Sequence, residues 1–199
     1  MQSTFPIQLN PAQNIQDLPR SIAGKAFLVV GATALVALCA HVSLPLYFTP
    51  VPLTLQTLAV ILIGLTLGPA LGASAMVLYL AEGAMGLPVF SPQGPGGIAQ
   101  LLGPTAGFLL SYPLAAAAAG SVVRSVRIGR SQFPAAILAG IAASVVIFSM
   151  GAGWIATLLH LSPAAAWHLS IAPFLPGEVL KIVAAAAACV ALRRWRRRF

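Results

Sequence analysis

Three charged residues, Glu82, Glu178 and Lys181, stand inside otherwise apolar stretches of this chain. Ionisable side chains in such settings mark pathways and ligand sites, because placing Lys or Asp at mid-helix in a bilayer costs about 2.5–3.5 kcal/mol. Glu178 and Lys181 are three residues apart and therefore share one helix face. A carboxylate accepts hydrogen bonds and an ammonium donates them, so the couple could recognise a polar group on a solute or perform acid–base chemistry. The plainer alternative is an ion pair that only lets the helix insert.

The elements that must position these residues are membrane spans. Of 199 residues, 59% are hydrophobic and 7% charged, and the mean hydropathy is +0.93. A soluble domain carries about 25% charged residues, so a water-facing globule is excluded. Six stretches approach the ~20 apolar residues that a bilayer core requires: 21–43, 54–68, 70–86, 104–123, 133–159 and 173–192. The second and third are short, with Gly68-Pro69 and Gly72 forming a tight turn between them. The expected architecture is an all-α, polytopic six-transmembrane-helix bundle over 21–192. A segment over 1–20 precedes it and a basic tail over 193–199 follows. That first segment is mostly polar and holds Pro6, Pro11 and Pro19, unlike a cleavable signal, so the first helix is expected to be retained.

The cations set the expected orientation. Arg20 and Lys25 begin span one, and Arg124, Arg127 and Arg130 lie between spans four and five. Arg193, Arg194, Arg196, Arg197 and Arg198 follow span six, whereas 44–53, 87–103 and 160–172 carry no Lys or Arg. With six spans all of these cations share one side, which the positive-inside rule makes cytoplasmic. The chain is expected to be a multi-pass protein of the cytoplasmic (inner) membrane with both termini on the cytoplasmic side. The Arg-rich tail suits anionic lipid or a cytoplasmic partner. Nucleic acid is not implied, since no basic face is interleaved with exposed aromatics.

In this topology Glu178 and Lys181 lie roughly 8–12 Å below the outer surface, and Glu82 lies near the outer end of span three. A pocket opening outward would suit capture of an external solute. Segment 87–109 is apolar but rich in glycine, with Gly94, Gly96, Gly97 and Gly103, as expected of backbone tucked against helices or a ligand. Segment 44–60, with Pro45, Pro50 and Pro52 and with Gln56 entering span two, reads as a semi-rigid extended lid.

Several chemistries lack their residues. No G-x-x-x-x-G-K-[ST] motif is present. His41, His160 and His168 have no nearby Cys or carboxylate at metal-ligand spacing, so no metal site is expected. Ser74 and the histidines of the last outer loop fall near opposite faces, against a Ser–His pair. Cys39 and Cys189 are likewise too far apart for a disulfide. No catalytic residue is assigned.

Several separated motifs resemble the BioY family, the biotin-binding S components of energy-coupling factor (ECF) vitamin importers. They are PVPLTLQTLAV at 50–60, LGPALGA at 67–73, YLAEGAMGLPVF at 79–90, GGIAQLLGPTAGFLLSYPLAA at 96–116 and PFLPGEVLK at 173–181. The resemblance implies a six-helix S component that takes up biotin, with a transmembrane coupling (T) subunit and ATPase subunits as partners and no cofactor. It implies that Glu178 and Lys181 contact substrate. Pro50, Pro52, Thr54 and Gln56 would belong to a capping first loop, and Gly94, Gly96 and Gly97 to a second wall. Tyr79 and Phe90 suit biotin's fused ring. Thr33 and Ala37 give the small-xxx-small spacing of a partner-contact face on helix one. The chain departs from the family where relatives often have Asp in place of Glu178, and Pro95 interrupts the glycine-rich stretch. Another small vitamin, or a small intramembrane enzyme using Glu82 or Glu178, stays open on the residues alone; a channel has no ring of pore-lining polar residues.

Overall fold

The computed structural model describes residues 21–126 and 132–196. The expectations for segment 1–20 and for Arg127, Arg130, Arg197 and Arg198 lie outside the described residues. Helix α1 (Ile22–His41) begins where Ser21 caps it, the hydroxyl accepting the Gly24 N–H at 2.9 Å. Two short strands, β1 (Ser43–Leu44) and β2 (Leu53–Thr54), pair antiparallel with Ser43 opposite Thr54 and Leu44 opposite Leu53. The first loop is thus a hairpin pinned to the end of α1, where the sequence reading has an extended lid. Its prolines leave enough free N–H groups at both ends for the ladder to close.

Helices α2 (Gln56–Leu67) and α3 (Pro69–Ala84) follow, joined at Gly68, whose φ of 85° suits glycine. Then come the short α4 (Gly97–Leu102), α5 (Ala106–Ser125), α6 (Phe133–Leu158), α7 (Pro163–Ser170), a 3₁₀ turn at Ala172–Phe174 and α8 (Leu175–Arg196). By length and composition α1, α5, α6 and the run Pro163–Trp195 can each cross a membrane. At 12 and 16 residues, α2 and α3 reach only about 18 and 24 Å along their axes. The structure is mostly helical.

The core lies where α2, α3, α5, α6 and α8 meet, and its contacts are made by small residues. Ala59, Ala75, Ala115, Ala116, Ala119, Ala139, Ala143, Ala185 and Ala186 are all fully buried. Small side chains let helix backbones approach closely, which supplies packing where water is not expelled. The closest approach on α2 is at Gly64: a Cβ there would lie 2.5 Å from the Ala116 carbonyl oxygen and 2.8 Å from Ala119 Cβ. Backbone cannot yield as a flexible side chain does, and overpacking costs about 1–3 kcal/mol or more. Gly64→Val is therefore expected to lower the apparent unfolding temperature in detergent by roughly 5–10 °C. Gly31→Ala, where an added Cβ meets nothing within 4 Å, is expected to leave it unchanged; equal shifts in the two variants would contradict this packing.

At the far end of α2, two guanidinium groups bind its last carbonyls. Arg193 donates to Leu65 O at 3.1 Å and Arg124 to Leu67 O at 3.3 Å. Cations here satisfy orphan carbonyls and complement the helix dipole, tying the ends of α5 and α8 to the α2–α3 turn.

Candidate functional site

The site is built where the N-terminal end of α2 faces α8, α6 and α5. Gln56 and Thr57 open α2, and Glu178 and Lys181 sit one helical turn apart near the start of α8. Both charged residues are buried, at 3% and 7% exposure, and Lys181 Nζ lies 3.4 Å from Glu178 Oε2. Three further bonds fix the couple. Thr57 Oγ1 donates to Glu178 Oε2 at 2.9 Å, Ser144 Oγ of α6 donates to Glu178 Oε1 at 2.7 Å, and Lys181 Nζ donates to Thr57 Oγ1 at 3.0 Å. A buried ion pair is tolerated when its remaining lone pairs and protons are satisfied, and α2 and α6 supply those groups.

This cluster lines a narrow cleft that is partly open to solvent. Phe108, Phe148, Phe174 and Ile147 form its apolar walls, and Thr54, Gln56, Tyr112 and Gln100 add polar groups. Apolar walls with few convergent polar groups suit a ligand that has a hydrophobic body and a small polar edge.

Behind the cleft lies a second polar network centred on Gln56, which is 5% exposed. Its Oε1 accepts from Tyr112 Oη and Thr54 Oγ1, each at 3.2 Å, and its Nε2 donates to Tyr79 Oη at 2.7 Å. Tyr79 in turn donates to Val89 O at 2.9 Å, fastening the loop after α3. Phe90 meets Tyr79 edge-on, with centroids 5.4 Å apart, and fills the place a Cβ of Gly83 would need. Among the described residues no buried side-chain nitrogen or oxygen lacks a partner.

The expected residues divide into distinct groups. Glu178, Lys181, Gln56, Thr54 and Pro52 line the cleft together, whereas Tyr79 and Phe90 brace its wall from behind. Pro50 is exposed on the hairpin and does not line it. Gly94 and Gly96 meet Gln100, which lines the cleft: the Gly96 N–H donates to Gln100 Oε1 at 3.1 Å, and a Cβ at Gly94 would lie 2.7 Å from that amide, whereas a Cβ at Gly97 would meet nothing within 4 Å. The φ angles of Gly96 and Gly97, 71° and 59°, make this turn available to glycine.

Glu82 does not join the other two charges. It is half-buried, and its Oε1 lies 3.1 Å from Thr33 Oγ1 of α1, whose one proton it shares with Val30 O at 2.9 Å. Thr33 is accordingly 3% exposed and turned inward, while Ala37 is half-buried. The outward face of α1 carries Phe27, Val30 and Leu38 instead.

Sequence reading missed Thr57, Ser144, Tyr112 and Gln100. Serine and threonine are ordinary in apolar helices, so only the adjacency of Thr57 to Gln56 carried any signal. A second, apolar groove on the outer side of α2 and α8 shares Thr54 and Lys181 with the cleft. Among the described residues no cluster of His, Cys, Asp and Glu could hold a metal.

The family model of the BioY family matches residues 10–198. The chain belongs to the BioY family. It is 36% identical over 171 residues to the "Probable biotin transporter BioY" of Pyrococcus horikoshii, covering 86% of this chain and 96% of that one. With the "Biotin transporter BioY" of Rhodobacter capsulatus the identity is 38% over 164 residues, covering 76% and 83%. The fold is similar to a crystal structure of the S-component for biotin from an ECF-type ABC transporter, with TM-score 0.78, 23% identity and coverage of 94% and 95%. BioY proteins are transporters and not enzymes, so the intramembrane-enzyme reading of Glu82 or Glu178 is set aside.

Proposed function

We propose that this chain captures biotin from outside the cell as the S component of an ECF-type vitamin importer. The observation that carries the reading is the bonding capacity of the buried couple. Lys181 has three N–H donors, of which two are committed to Thr57 and Glu178. Glu178 has about four acceptor positions, of which Ser144, Thr57 and Lys181 occupy three. One donor on Lys181 Nζ and one acceptor on Glu178 Oε1 therefore remain, on two residues that both line the cleft. Biotin's ureido edge offers the complement, an N–H beside a C=O. Its carboxylate tail offers acceptors only and would meet Glu178 unfavourably. The ureido ring accordingly faces Lys181, and the thioether-fused ring lies among Phe108, Phe148 and Phe174.

In this reading the protein is a multi-pass protein of the cytoplasmic membrane with both termini inside. Six helices cross it, α2 and α3 steeply, with the hairpin and the α4 turn closing over them on the outer side. A T subunit and ATPase subunits provide the energy, since the chain carries no nucleotide motif. The purified protein is expected to retain labelled biotin, and excess unlabelled biotin, but not an equal excess of thiamine or riboflavin, should displace it. Failure to retain biotin, or displacement by another vitamin, would overturn the assignment.

A further inference from the structure

We infer that Thr57 is a positioning and specificity-determining residue: its hydroxyl sets how many donors and acceptors the Glu178–Lys181 couple presents to the ligand. The inference rests on the biotin reading above. A threonine hydroxyl has one proton to give. Here that proton goes to Glu178 Oε2 at 2.9 Å, which obliges the oxygen to act as acceptor toward Lys181 Nζ at 3.0 Å. Thr57 thus fills one acceptor position on the carboxylate and one donor of the ammonium at once. It also lines the cleft, so the ligand meets this arrangement directly.

The hydroxyl is fixed from two sides. Thr57 begins α2 directly after Gln56, whose backbone N–H donates to Thr54 Oγ1 at 3.3 Å and whose side chain is held by Tyr79 and Tyr112. The carboxylate it serves is held on its other oxygen by Ser144 of α6. The carboxylate cannot swing to compensate for a missing hydroxyl without breaking that buried bond, which costs more to lose than it gains on forming.

The consequence is a choice between ligand edges. With Thr57 present the couple offers one donor and one acceptor, matching a ureido group. Without it, Glu178 has a second open acceptor and Lys181 a second unspent N–H. The second acceptor takes a second ligand N–H, which a guanidinium edge has and a ureido edge lacks. 2-Iminobiotin, in which the ureido oxygen is replaced by an imino group, is the matching probe.

The test measures the affinities of the purified full chain for biotin and for 2-iminobiotin, together with its apparent unfolding temperature. Thr57→Val is expected to shrink the preference for biotin over 2-iminobiotin by about tenfold, and Thr57→Ser to restore it. Should Thr57→Val not fold, Thr57→Ala, which adds no volume, carries the same expectation. A role in folding alone would weaken both ligands equally, and an unchanged ratio in a folded variant overturns the inference while leaving the biotin assignment intact. Absence of biotin binding in the unsubstituted chain would instead overturn the assignment.

Discussion

Lys181→Ala is expected to weaken biotin retention at least about a hundredfold, enough to abolish capture in a filter or gel-filtration assay. Two losses combine. The ligand loses the one donor that the couple directs at its carbonyl, a charge-assisted bond. The protein is left with Glu178 at 3% exposure and without its cation, and breaking a buried pair from one side costs about 3–5 kcal/mol. A double variant separates these effects. Glu178→Gln with Lys181→Met removes both charges and keeps the volumes close, so most of the unfolding temperature should return while binding stays absent. If Lys181→Ala held biotin normally, or the double variant were as unstable as the single one, the couple would not have the role given to it.

The second large effect is expected at Gln56. Gln56→Leu deletes an amide that accepts from Tyr112 and Thr54 and donates to Tyr79. Tyr79 keeps Val89 O as a partner, but Tyr112 Oη, on a side chain 3% exposed, bonds to Gln56 alone among the described residues. An orphaned buried hydroxyl costs about 1–3 kcal/mol, and the cleft wall moves with it. Biotin affinity is expected to fall at least about tenfold, with a lower unfolding temperature. Adding Tyr112→Phe removes the stranded hydroxyl and should recover part of the stability but not the affinity. Calorimetry on the two variants checks this; equal stability of Gln56→Leu and the unsubstituted chain would show that the network does not brace the site.

Much of the helical framework was legible because apolar runs in a bilayer protein have few alternatives to helix. Each expected stretch contains a helix, and the short second and third stretches reappear as α2 and α3 around Gly68. The pairing of Glu178 with Lys181 was legible for a similar reason, since i, i+3 spacing on a helix leaves them on one face whatever surrounds them. The first loop was harder to read. Its prolines suggest an extended segment, but the β1–β2 pairing depends on where α1 ends relative to Thr54, and no local pattern encodes that. Tyr79 and Phe90 were expected to face the ligand because aromatics suit its ring. Packing against Gly83 and a hydrogen bond to Gln56 turn them to the rear of the wall.

Local chemistry along the chain thus determined which segments become helices, where the buried charges fall, and that Glu178 and Lys181 share one helix face. Tertiary structure decided what completes the couple and what is left outside it. Thr57 lies 121 residues from Glu178 in sequence and Ser144 lies 34, while Glu82 is drawn away to Thr33 on α1. A hydroxyl among apolar residues becomes a ligand-setting group only when another helix brings a charge within 3 Å of it, because hydrogen bonding falls off over tenths of an ångström. Helix formation follows from neighbours along the chain. Site formation follows from close approach between helices, which the glycines and alanines at their crossings permit.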